Sequence, residues 1–112
     1  MKNLVTSVSF GVLLSILAAA PVRGASGNTK PAIEISVDNF TFGPAEIAVP
    51  VNGTVTWVNH DDVPHVIAST DGLFRSKALD TDDKFAFTFT KPGTYGYFCA
   101  LHPKMVGRVV VK

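Results

Sequence analysis

The sequence predicts a small all-β domain, an antiparallel β-sandwich or small barrel of about eight short strands. Three observations carry this. Apolar residues recur with period two, the spacing that sends alternate side chains to one face of a strand. The extended runs are rich in Val, Ile, Thr, Phe and Tyr and are interrupted at short intervals by Gly, Pro or Asn. After residue 24 no helical periodicity, internal repeat or low-complexity tract stands out.

Residues 27–31 read as a flexible start. In 33–38, Ile33, Ile35 and Val37 alternate with Glu34, Ser36 and Asp38. Residues 39–42 continue the alternation, with Phe40 and Phe42 on one face, until Gly43-Pro44 stops it. A short strand at 45–49 and a turn at Val51-Asn52-Gly53 lead to the strand 54–59 (TVTWVN), whose Trp57 belongs to the core. His60-Asp61-Asp62-Val63-Pro64 is a polar loop whose acids read as solvated, and extended structure resumes at 65–68. Asp71-Gly72 marks a turn into a loosely patterned stretch ending at Asp83. The clearest strand is 84–90 (KFAFTFT), with Phe85, Phe87 and Phe89 on one face. Lys91-Pro92-Gly93 turns the chain into the strand 94–99, and a loop over 100–106 leads to a last strand, 107–112.

The first 24 residues are set apart. Met1-Lys2 is a basic start, residues 4–20 carry no charge, and small residues recur at Gly24, Ala25 and Ser26. That is the layout of a secretory signal cleaved between residues 20 and 26. A membrane anchor is the competing reading, because the apolar run has about the length of a span. With the boundary after residue 24, residues 25–112 form one domain in which eight basic residues face nine acidic ones. This balance offers no basic surface for a nucleic acid. The expectations are an exported or periplasmic monomer with no membrane insertion after cleavage.

Small exported domains are commonly stapled by several disulfides. Cys99 is the only cysteine, so no internal disulfide exists. An exported thiol is open to oxidation unless it is buried or ligated. Its neighbourhood suggests which. In Y-F-C-A-L-H-P-K-M, residues 97–105, His102 follows Cys99 by three positions and Met105 follows His102 by three more. A tight loop between two strands can bring such side chains to one point. A thiol, an imidazole and a thioether suit copper rather than magnesium or calcium, which take hard oxygen ligands. Two histidines and a cysteine with a weak axial methionine form the coordination of an electron-transfer copper. The second histidine is His60 or His65. His65 is preferred, because it follows Pro64 and enters the apolar Val66-Ile67, whereas His60 lies beside Asp61 and Asp62.

The pairing of V-P-H (63–65) with C-x-x-H-x-x-M (99–105) resembles the type I, or blue, copper proteins, the cupredoxins. The resemblance extends through the W-V-N strand, G-T-Y-G-Y-F-C and the closing H-P-K-M-V-G-R-V-V-V. The short ligand loop is most similar to amicyanin, with plastocyanin and pseudoazurin as relatives. The resemblance implies a Greek-key sandwich holding one type I copper ion, with His65, Cys99 and His102 as strong ligands and Met105 axial. It implies a one-electron carrier, not an enzyme, that meets donor and acceptor redox proteins through the surface around His102. A copper storage or delivery protein is the rival. The family often places asparagine directly after the first histidine to tie the ligand loops together, and this chain has Val66 there. A thiol-protease reading fails because Cys99 and His102 share one short loop without a third orienting group. A zinc site leaves the methionine unexplained.

Overall fold

The computed structural model describes residues 32–112. The expected signal at 1–24 and the flexible start at 27–31 lie outside the described residues. Eight strands follow: β1 (Ala32–Asp38), β2 (Thr41–Gly43), β3 (Glu46–Val49), β4 (Gly53–Asn59), β5 (Ile67–Ser69), β6 (Lys84–Phe89), β7 (Gly93–Cys99) and β8 (His102–Val111). They form two four-stranded sheets, in the orders β2-β1-β4-β6 and β3-β8-β7-β5. The all-β sandwich is therefore as expected.

Four of the six strand pairs are antiparallel, and two are parallel, β1 with β4 and β3 with β8. The cause is the crossover. The chain leaves the first sheet after β2, lays β3 on the edge of the other, and returns as β4 in the direction of β1.

The alternation seen in the sequence becomes burial. Ile35 and Val37 on β1 and Val55 and Trp57 on β4 are fully enclosed, while Glu34 and Asp38 face out. Phe85, Phe87 and Phe89 on β6 all join the core, packed with Phe74, which stands 4.8 Å from Phe87 between ring centres. At the centre Tyr97 meets Trp57 at 5.2 Å and Phe42 at 4.7 Å, both edge to face. Gly107 lies opposite Tyr97 across the β7–β8 pair, and the Tyr97 ring occupies the place a Cβ would take. Only glycine fits there.

The Tyr97 hydroxyl and the Trp57 indole N–H are buried and have no hydrogen-bond partner of full geometry among the described residues. Burial pushes the Tyr97 phenol up to about 12, with the nearby indole N–H offsetting part of that rise.

Two local expectations change. Residues 39–40 do not continue a strand. They are the turn of the β1–β2 hairpin, closed by the Asp38–Thr41 pair, so Phe40 points outward while Phe42 is buried. The last strand begins at His102, not Gly107, because Cys99 pairs directly with His102 and leaves only Ala100-Leu101 as a turn.

Candidate metal centre

Three side chains converge at the end of the sandwich where β7 turns into β8. Cys99 is the last residue of β7, an inner strand between β5 and β8, and its thiol is fully buried. His102 opens β8, paired with Cys99 across a register slip between Phe98 and Cys99, and its Nδ1 lies 3.6 Å from the sulfur. His65 arrives from the loop after β4, with Nδ1 3.5 Å from the same sulfur. The potential ligand atoms of His65, Cys99 and His102 all lie within 4.8 Å of one another. Met105 is buried on β8, and lines an open hollow with His102, Phe40, Pro103 and Lys104. His60 is exposed and no part of the cluster, so of the two histidines considered His65 is the one brought to the thiol.

His65 is held from several sides. Its backbone N–H donates to the Leu79 carbonyl at 3.1 Å, and its carbonyl accepts from the Leu79 N–H at 2.7 Å. Asn59, fully buried at the end of β4, ties the intervening loop. Its amide donates to the carbonyls of Val63 (2.9 Å) and Leu79 (2.8 Å), and its oxygen accepts the Asp61 N–H (2.8 Å).

Asp61 is only 11% exposed, and its Oδ2 accepts from His65 Nε2 at 2.8 Å. The same carboxylate accepts the N–H groups of Asn39 at 2.6 Å and Phe40 at 2.9 Å. Burial pushes the Asp61 carboxyl up, but the amides of Phe40 and Asn39 and the His65 ring outweigh it, so the carboxyl sits below the ordinary aspartate value. An ionised carboxylate only accepts, so the proton of neutral His65 sits on Nε2, and Nδ1 turns its lone pair to the sulfur. Asp61 is thus not the solvated loop acid that its sequence context suggested. Its spacing of four from His65 was the available signal.

The position after His65 is bridged by backbone. The Val66 N–H donates to Cys99 Sγ at 3.4 Å, and the Ala100 N–H donates to the Val66 carbonyl at 2.9 Å. The ligand loops are tied without the asparagine side chain.

An eight-stranded sandwich carrying two imidazoles and one buried thiol at one end is a β-sandwich with side chains grouped closely enough to hold one metal ion. The model of the cupredoxin-like domain matches residues 8–111, and the chain belongs to that family. It is 30% identical over 104 residues to amicyanin of Paracoccus versutus, covering 88% of this chain and 78% of that protein. It is 35% identical over 86 residues to amicyanin of Paracoccus denitrificans, covering 72% and 66%. Among solved structures it is similar to a purple cupredoxin from Nitrosopumilus maritimus, with a TM-score of 0.66 and 36% identity over 70% of this chain and 98% of that one.

Proposed function

We propose that this protein is a one-electron carrier built on a single type I copper site, with His65, Cys99 and His102 as strong ligands and Met105 as the weak axial one. The observation that carries the reading is the convergence of two imidazole Nδ1 atoms on the only thiol of the chain. The donor set of two imidazoles, a thiolate and a thioether fits copper.

Bound copper supplies a one-electron couple between Cu(I) and Cu(II). The protein's residues supply the rest. Asp61 keeps the proton on His65 Nε2 and the lone pair on Nδ1. The Val66 N–H draws charge from the Cys99 sulfur. Leu79 and Asn59 hold the His65 backbone still, so the ligands need little rearrangement between redox states. His102 is the half-buried histidine of the pair, and its outer edge is the electron port. Exposed Leu101 and Pro103 give that port an apolar rim, and Lys104 a single positive charge, suited to brief docking of donor and acceptor redox proteins.

The chain works outside the cytoplasm as a monomer, with residues 1–24 as its cleaved signal. Among the described residues no helix is long and apolar enough to cross a membrane. A storage or delivery role fits less well, since His65, Cys99 and Met105 are all buried and poorly placed for handing metal to an acceptor.

Copper-loaded protein is expected to show an intense thiolate-to-copper charge-transfer band with a matching electron paramagnetic resonance spectrum, and to reduce and reoxidise reversibly. Cys99→Ser is expected to abolish the band. A serine variant that kept its colour would sink the assignment.

A further inference from the structure

The β1–β2 turn holds a residue in a backbone conformation that suits its side chain badly. Asn39 and Phe40 both have positive φ, 55° and 58°, the left-handed pair that a two-residue hairpin uses. Asparagine tolerates that region, and glycine is the usual second residue, whereas a phenylalanine there is strained. Nor is the ring buried in the core, since Phe40 is 48% exposed.

The ring stands instead against the metal centre. It meets His65 at 5.5 Å and His102 at 5.0 Å between ring centres, with interplanar angles of 76° and 83°. The turn beneath it is pinned by Asp61, whose Oδ2 accepts both the Phe40 N–H and the His65 Nε2–H. Strain maintained by its surroundings, and delivering an aromatic ring to a cluster of ligands, points to a role at that cluster.

We propose that Phe40 is a positioning residue of the metal centre: its ring roofs the His65–His102 pair, and Asp61 locks the roof and the His65 ring to one carboxylate. This rests on the copper reading above. The ring limits the tilt of His102, for which no clamp like that on His65 stands among the described residues, and keeps water off the ligand face. An apolar roof also favours the less charged Cu(I) state, so it holds the reduction potential up.

The test compares wild type, Phe40→Gly and Phe40→Tyr. Glycine relieves the turn, so the copper-free Phe40→Gly protein is expected to unfold at a higher temperature than wild type. The same variant is expected to release copper to EDTA faster by about tenfold, and its reduction potential is expected to fall. In the copper-free protein the ring-proton resonances of His65 and His102 are expected to move as the Phe40 ring current is lost. Phe40→Tyr keeps the ring and is expected to restore the release rate and potential. The proposal is overturned by a Phe40→Gly protein that releases copper within about twofold of wild type at unchanged potential, against the effect that a lost neighbour of a metal ligand produces. If wild type shows no charge-transfer band, the copper reading falls separately. The copper-free resonances then decide the roof, moved shifts supporting it and unmoved shifts overturning it.

Discussion

His65 and His102 present the same atom to the same sulfur, at 3.5 and 3.6 Å, yet the chain holds them in opposite ways. His65 is fully buried, bonded through both backbone groups to Leu79 and through Nε2 to Asp61. His102 sits three residues from Cys99 in a two-residue hairpin, half-buried. One ring is an anchor assembled from distant segments, and the other is a window placed by a local turn. On the proposed copper reading the two rings divide the work. The anchor keeps the geometry constant, and the window brings the centre within reach of a partner.

The largest test of that contrast replaces each ring by glycine. Both variants should lose the charge-transfer band. Added imidazole should restore it in His102→Gly, whose vacated space opens outward, and fail to do so in His65→Gly, whose space is enclosed. Removing the buried His65 ring should also cost about 2–4 kcal/mol of stability, read by urea denaturation of the copper-free protein. Equal rescue of the two variants would break the distinction.

Asn59→Ala attacks the anchor without touching a ligand. It strands the Val63 carbonyl and the Asp61 N–H and takes from the Leu79 carbonyl one of its two donors, the other being the His65 N–H, and a loss of about 1–3 kcal/mol is expected, with the His65 side of the site loosened first. Hydrogen exchange at Leu79 and His65, faster while that of the β7–β8 ladder is unchanged, would sharpen the comparison.

The smallest effect at neutral pH is expected from Tyr97→Phe, a control in the core against Trp57 and Phe42. Among the described residues the Tyr97 hydroxyl has no hydrogen-bond partner of full geometry, so its removal at pH 7 should be close to neutral. The difference appears in alkali. The folded phenol titrates at about 12 against an ordinary 10.0, so between those values the unfolded chain gives up a proton that the folded chain retains. Wild-type stability should therefore be unaffected below pH 10 and fall relative to Tyr97→Phe by about 2–3 kcal/mol as pH rises to 12, as measured by urea midpoints of the copper-free proteins.

What was legible in the sequence was local. Period-two alternation located β1, β4, β6 and β7, and Trp57 was assigned to the core because a large aromatic on an alternating strand has few other places to go. The spacing of Cys99, His102 and Met105 was visible for the same reason, since one hairpin places all three residues. Phe40 was misread because its alternation with Phe42 continues that of β1, while the turn that breaks it depends on Asp61, 21 residues away. Asp61 itself was grouped with solvated acids, because the sequence does not show that the 39–40 turn folds over it.

The sequence by itself therefore determined the β class, the core faces of its strands and the soft-donor chemistry of the C-terminal hairpin. Each follows from residue type and spacing over a few positions, where strand geometry leaves little choice. Only the tertiary structure decided that β1 and β4 run parallel, that backbone groups of Val66 and Ala100 tie the ligand loops, and that one carboxylate serves both His65 and the turn of Phe40. Those pairings join segments far apart in the chain. Their partners are selected by how two sheets close over a shared core, which no short stretch of residues encodes.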